Sequence, residues 1–322
     1  MNQLQDFFDK ELPRINAALQ QEMEQLTPLV REVAEHIVMS GGKRLRPMMT
    51  ILTAGCLGYR KEDIYPLACS LELLHSATLI HDDILDNAHL RRGSSTAHLV
   101  FGLQRTVLAG DALLALANMI VARYNIPAMN YSVSLAIMRT ATGEVEEIAQ
   151  VRSPTLEQDK YLEIVKGKTA DLIRAACNCG AHLAGAEDRV LDRAGELGLN
   201  VGMAFQLVDD ALDYASDNGL TGKPLGGDLR EGKLTLPLIL YLRSLQEQSR
   251  QDVLERMVRD DLSEREMQVI ISEIQNMGLD KIVREEAGTY LERASEALQV
   301  FPENREKILL QEVIEVVRTR QF

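Results

Sequence analysis

Two stretches of this chain carry the same acidic device. In LELLHSATLIHDDILDNAHLRRG, from Leu71 to Gly93, three aspartates stand at Asp82, Asp83 and Asp86. On a helix Asp82 and Asp86 are i and i+4, so their carboxylates leave one side, one turn apart. Like charges this close oppose the helix by a few tenths of a kcal/mol per pair. The residues before them (Leu71, Leu73, Leu74, Ala77, Leu79, Ile80) are apolar, which predicts a buried helix whose acidic end needs a compensating cation. Mg²⁺ suits such a place, because it is hard, takes oxygen ligands and binds one or two carboxylates together with substrate phosphates. Arg91 and Arg92 follow, and guanidinium forks match phosphate oxygens. A solvated acidic helix end before a basic turn would read the same way. The repeat of the device weighs against that reading: FQLVDDALD places Asp209, Asp210 and Asp213 at the same spacing after another apolar run.

The elements that must position these residues read as helices. Residues 2 to 26 show amphipathic spacing at Leu4, Phe7, Leu12, Ile15, Leu19 and Leu26. Pro28 opens a second helix that stops at Gly41-Gly42. Gly41-Gly42-Lys43-Arg44-Leu45-Arg46-Pro47 then sets three cations behind two glycines; a basic helix C-cap is the plain alternative. Pro47 to Leu57 and Tyr65 to Asp86 continue the helical pattern, and His89 to Gly102 reads as a polar loop. Thr106 to Arg123 is apolar almost all round, which predicts a central helix. Residues 128 to 151 form another, carrying Gly143-Glu144-Val145-Glu146-Glu147. That acidic cluster reads equally as support for metal-bound water or as a solvated face. Thr155-Leu156-Glu157-Gln158 has the form of a capping box and predicts the start of the helix bearing Tyr161 and Lys166-Gly167-Lys168-Thr169. A glycine there costs about 1 kcal/mol against alanine and marks a kink or close substrate approach. Asp188 to about Ser216 is a helix whose Gly195, Gly198 and Gly202 allow tight contacts. Asp217 to Asp228 reads as a flexible basic lid, and shorter helices follow, with a capping box at Ser263 and stops at Gly278 and Pro302. No strand alternation, nucleotide-binding glycine loop or linker is legible, so the expectation is one all-helical domain over residues 1–322.

Composition bounds the reading. The 322 residues suffice for a substantial core, and 46% hydrophobic with 26% charged residues is ordinary for a globular protein. Aromatics are 4% and Trp is absent, which favours helix over sheet. A net charge of −13 argues against nucleic acid as a partner. It leaves room for anionic substrates, since metal ions and local cations can reverse the field in a cleft. Cys56, Cys69, Cys177 and Cys179 lack zinc spacing and read as reduced core thiols. The start, MNQLQDFFDKELPR, is charged throughout, which predicts no secretory leader and a cytoplasmic chain. The most apolar run is broken by Asp111 and Asn118, so no membrane span is expected, and at most weak membrane association for product release.

The two aspartate motifs, Gly41–Pro47, Arg91-Arg92 and Lys168-Thr169 occur in an order that resembles the trans-isoprenyl diphosphate synthases, the head-to-tail prenyltransferases. The resemblance runs from Gly41 to about Pro237. It implies a bundle of ten or more helices around a central apolar cavity. It implies Mg²⁺, three ions, with Asp82, Asp86 and Asp209 as metal ligands and Asp83, Asp210, Asp213 and Lys168 as further catalytic groups. Lys43, Arg46, His75 and Arg92 match residues that bind isopentenyl diphosphate. Arg91, Lys168, Thr169, Gln206, Lys223 and Lys233 match residues that bind the allylic diphosphate. The family usually has proline where Ser95 stands. Family members pair through central helices, which implies a homodimer. Ala77 and Thr78 stand where short-chain members carry Phe or Tyr, so the expected product is long, about six to ten isoprene units (C30–C50), suited to a quinone side chain. A class I terpene cyclase would lack the Lys43/Arg46 pair and the second aspartate motif. A regulatory subunit would have degraded motifs. The active subunit of a heteromer, and a scaffold protein, remain as alternatives.

Overall fold

The structure, a computed structural model of the chain, describes residues 3–152, 154–215 and 225–320. Among these the fold is all-α, as the composition and periodicity predict. In chain order the helices are α1 (Gln3–Met23), α2 (Pro28–Val38), α3 (Leu45–Cys56), α4 (Ile64–Leu85), α5 (Ala97–Phe101), α6 (Leu103–Ala122), α7 (Pro127–Arg152), α8 (Gln158–Val165), α9 (Asp171–Leu183), α10 (Asp188–Tyr214), α11 (Gly227–Arg230), α12 (Leu236–Ser244), α13 (Glu247–Val258), α14 (Glu264–Asn276), α15 (Leu279–Ala297) and α16 (Arg305–Thr319). A π-helical turn, Lys166–Ala170, joins α8 to α9.

The chain divides into two compact units. The first holds the N-terminal segment through Ile137, Leu172–Gly198 and Ala297–Val313. The second holds Met138–Asp171, Leu199–Glu296 and the C-terminal segment from Ile314. In the first unit α4 is the axis, flanked by α6, α3, α1 and α2. Its sequence explains that place: Leu67, Leu71, Leu73, Leu74, Ala77 and Ile80 point in several directions around the helix and all are buried. In the second unit α12 packs on α14 and α8, and Tyr214, Leu238, Leu242, Ile271 and Ile274 close a core of their own. The four cysteines are free and buried.

Local expectations fare unevenly. The Ser263 capping box forms, with Glu266 N donating to Ser263 Oγ (3.4 Å) and Ser263 N donating to Glu266 Oε2 (3.0 Å). The Thr155 box does not form. The hydroxyl and backbone N–H of Thr155 both donate to Gln150 Oε1 (3.1 and 2.9 Å), so the hydroxyl turns away from the helix. Glu157 takes the N-cap position and α8 begins at Gln158. His89–Gly102 is more than a loop. It contains a small antiparallel ladder, β1 (Leu90–Arg91) with β2 (Ser94–Ser95), and the short α5.

The expectation that α6 is wholly central needs correcting as well. One face (Ala109, Leu113, Leu116, Ala117, Ile120, Val121) is buried, yet Leu108 is 64% exposed and Met119 57%. By length and composition α6 also meets the requirement for crossing a membrane, despite Asp111 and Asn118. Its buried face is that of a core helix in the first unit.

Candidate active site

In the first unit, α4 ends in Asp82, Asp83 and the C-cap residue Asp86. Helical spacing sends the three carboxylates different ways. Asp83 is buried and accepts from Arg91 Nε at 2.6 Å. Burial pushes its carboxyl up and Arg91 pulls it back, with a net rise. Asp82 is half-buried and Asp86 exposed, one turn apart along the same side of the helix. Arg91, expected at the allylic diphosphate, is therefore also the partner of Asp83.

Before α3 the chain turns through Gly41 (φ 99°), Gly42 (φ 140°) and Arg44 (φ 47°). Gly42 is required by its neighbour as well as by its φ. A Cβ there would lie 3.0 Å from Arg92 Nη2, and Arg92 donates to the Gly41 carbonyl. Lys43 is exposed, while Arg46 and His75 are half-buried. Burial pushes the Arg46 guanidinium down to about 10. Burial, then Arg46, Arg92, Arg91 and Arg44, holds His75 well below the ordinary imidazole value, so it is neutral at pH 7. Arg46, His75 and Arg92 thus share one neighbourhood, with Lys43 on the loop next to Gly42. Arg44 points inward to Glu72.

In the second unit, α10 ends in the other motif. Asp209 is exposed and pairs with Arg320 Nη2 at 2.8 Å. Arg320 also lies 4.6 Å over the Phe205 ring. Asp210 is buried, accepting from Tyr161 Oη (2.6 Å) and Gln206 Nε2 (2.7 Å). Burial pushes its carboxyl up to about 7, against the pull of those two donors. Gln206 in turn accepts from Thr169 Oγ1 at 2.8 Å. Asp213 accepts from the backbone N–H groups of Gly227 (3.0 Å) and Asp228 (2.9 Å), tying the start of α11. Of this trio only Asp209 stands exposed. Gln206 and Thr169, expected at a diphosphate, are links in the chain that holds Asp210.

Lys168 sits on the π-helical turn. Its Nζ lies 2.8 Å from Glu144 and 2.5 Å from Glu147. Burial works to lower the ammonium, but Glu147 and Glu144 outweigh it and hold it above its ordinary value. The acidic cluster on α7 is thus a clamp on Lys168, with Glu146 turned to Lys160 at 2.5 Å. Gly167 answers to helix packing: a Cβ on it would lie 2.8 Å from the Arg139 carbonyl oxygen, and one on Gly143 2.8 Å from Lys168 N. Lys233 lies 2.7 Å from Glu231. Lys223 falls outside the described residues, as does most of the expected lid.

Sequence reasoning missed Glu72, the Glu144/Glu147 clamp, the role of Tyr161, and Arg320. All act through partners distant in the chain, and no local spacing announces them. As for metal, no group of three His, Cys, Asp or Glu among the described residues forms a closed cage. Asp82 with Asp86, and Asp209, are hard oxygen donors in ones and twos. That donor set fits Mg²⁺ completed by phosphate oxygens rather than a structural metal.

An all-helical scaffold that ends two helices in aspartate triplets, the first paired with Arg91 and the second with Arg320, defines a class of enzyme acting on diphosphates. A family model described as polyprenyl synthetase matches residues 27–274, and the chain belongs to that family; it is a prenyltransferase that makes prenyl diphosphates. It is 30% identical over 318 residues to heptaprenyl diphosphate synthase component 2 of Bacillus subtilis, covering 98% of this chain and 90% of the relative. It is 36% identical over 277 residues to the geranyl-diphosphate-specific all-trans-nonaprenyl-diphosphate synthase of Rhodobacter capsulatus, covering 86% and 84%. Among solved structures, the polyprenyl synthase from Caulobacter crescentus, complexed with calcium and isoprenyl diphosphate, is similar with a TM-score of 0.91 and 34% identity over 99% of this chain and 97% of that one. Relatives' names run from geranylgeranyl to decaprenyl.

Proposed function

We propose that the protein is a Mg²⁺-dependent trans-polyprenyl diphosphate synthase. It condenses isopentenyl diphosphate with an allylic diphosphate and makes a long product, about six to ten isoprene units, for quinone side chains. We read it as one cytoplasmic prenyltransferase domain over residues 1–322, working as a homodimer that touches membrane at most weakly. Asp82 with Asp86, and Asp209, would hold Mg²⁺, three ions by the family resemblance. When bound, they supply positive charge to the leaving diphosphate. By the family resemblance Lys168, held by Glu144 and Glu147, would serve the allylic diphosphate, as would Arg91, Thr169, Gln206, Lys223 and Lys233. Lys43, Arg46 and Arg92 hold isopentenyl diphosphate as charged donors. His75 joins them as a ring N–H donor. The allylic C–O bond breaks, the isopentenyl double bond attacks the allylic carbon, and a proton leaves to the released diphosphate. No protein nucleophile is used.

The length assignment rests on one observation. The small side chain of Ala77 stands on α4, five residues and about 7.5 Å of helix rise before Asp82. With Thr78 beside it, no bulky side chain at these positions can act as a floor for a chain growing back along α4. The test incubates the purified protein with labelled isopentenyl diphosphate, several allylic primers and Mg²⁺. Long prenyl diphosphates support the reading, and cyclised hydrocarbon would replace it with a cyclase. Turnover only after adding a second polypeptide would make this chain the active half of a heteromer, the arrangement suggested by the word "component" in the name of the Bacillus subtilis relative. Ala77→Tyr should keep turnover and shorten the product to farnesyl or geranylgeranyl diphosphate. An unchanged long product would remove Ala77 from the growing chain's path.

A further inference from the structure

Arg44 is the most deeply buried cation of the Gly41–Pro47 stretch. It holds a left-handed backbone (φ 47°), which residues bearing a Cβ seldom keep unless something fixes them. Its side chain is 2% exposed and that of Glu72 4%. One arm of the guanidinium, Nη1, donates to Glu72 Oε1 at 2.8 Å, and the other, Nη2, donates to the Val38 carbonyl at the end of α2. A single side chain thus clips the end of α2 to the middle of α4. The loop is held between those points, with Lys43 directly before the clip and Arg46 two residues after it.

Glu72 is also the carboxylate that Arg46 and Arg92 feel. Burial weakens the hold of both on their protons, and Glu72 is the charge that opposes this in each case. His75 stands three residues along α4, on the same side of the helix. The second Glu72 oxygen, Oε2, and Arg44 Nε are buried without a hydrogen-bond partner. Charge and geometry therefore hold the pair more than a saturated network does. A buried ion pair is weak evidence for stability, because desolvation offsets much of its attraction. Its larger effect here is to set the shape of the loop.

We propose that Glu72, acting through Arg44, is the positioning residue of the isopentenyl diphosphate site: the pair fixes the Gly41–Pro47 loop, and Arg44 is an internal anchor rather than a phosphate contact. This rests on the reading that Lys43 and Arg46 hold that diphosphate. The experiment is steady-state chain elongation by the full-length protein, varying each substrate in turn. Glu72→Gln keeps size and an acceptor oxygen but removes the charge. It should raise the KM for isopentenyl diphosphate about tenfold or more, with the allylic KM and kcat within about threefold of wild type. Arg44→Lys, which keeps charge but loses the fork, should do the same and serves if Glu72→Gln does not fold. The Glu72→Gln/Arg44→Lys pair should be no worse than the weaker single variant, since both break one clip. Glu11→Gln is the control. That carboxylate is equally buried in the first unit and accepts from Tyr65, and its loss should leave both KM values unchanged. A lowered melting temperature with an unchanged ratio of the two KM values would make the pair merely structural and overturn the proposal. If Arg46→Ala raises the isopentenyl KM and neither Glu72→Gln nor Arg44→Lys does, only this inference fails. If Arg46→Ala also leaves it unchanged, the assignment of the site fails with it.

Discussion

The contact between α10 and the π-helical turn can be tested with one methyl group. Gly202 lies one turn before Gln206, and a Cβ on it would sit 2.5 Å from Ala170 Cα and 2.9 Å from Ala170 Cβ. Ordinary contact begins near 3.4 Å. In Gly202→Ala the two backbones must therefore part locally by about 1 Å. The Thr169–Gln206 hydrogen bond, 2.8 Å long and one turn further on, would be stretched beyond bonding distance. Overpacking of this kind costs about 1–3 kcal/mol. At the middle of that range the melting temperature of a 322-residue chain should fall by about 3 °C. Asp210 would lose the support of Gln206, and a shift near 1 Å at a reacting site can cost about a hundredfold. Turnover of labelled isopentenyl diphosphate should fall by about ten- to a hundredfold. Gly288→Ala is the control, because the nearest atom to its Cβ is Arg318 Nη1 at 3.8 Å. It should stabilise the protein by about 0.4–1 kcal/mol and leave turnover alone. Wild-type melting and turnover in Gly202→Ala would refute the idea that this contact sets the second aspartate motif.

Two further outcomes follow from the same geometry. Asp82→Ala and Asp209→Ala should each lower turnover by about 10²–10³ at saturating Mg²⁺, and near-normal rates in either would remove that residue from the metal site. Glu266 is held down to about 2, first by Arg256 and then by Ser263. A carboxyl with a depressed folded value stabilises fully above its unfolded value, 4.5, and loses that contribution as pH falls toward 2. Urea midpoints measured across that window should fall more steeply for wild type than for Glu266→Gln, and equal slopes would contradict the assignment.

What the sequence made legible was whatever depends on near neighbours. Helix type follows from periodicity, and Asp82 and Asp86 lie one turn apart because 3.6 residues make a turn. Gly195, Gly198 and Gly202 signalled close contact, and each would place a Cβ under 3.0 Å from a neighbour. The failures were competitions with groups outside the motif being read. Thr155 looked like a cap, but Gln150 offered its hydroxyl another acceptor. Glu144 and Glu147 read equally as support for metal-bound water or as a solvated face, and neither reading includes Lys168, which reaches them from the π-helical turn. Asp83, Asp210 and Asp213 share the spacing of their neighbours, yet a guanidinium, a phenol and two backbone amides turn them inward. Spacing alone gave no means of ranking the carboxylates within a triplet.

The outward side of α6 has a consequence for how the protein behaves at different concentrations. Leu103, Leu108 and Met119, with Leu99 and Val100 of α5, are each more than half exposed. Water against this much apolar side chain is unfavourable by about 25 cal/mol for every Å². In the proposed homodimer a second copy covers that face, and folding is then linked to association by mass action. Unfolding of such a dimer would be a reaction of one dimer to two chains, so dilution alone would destabilise it. Its melting temperature should climb with the logarithm of protein concentration, and substitutions on α6 that touch no substrate should act as dilution does.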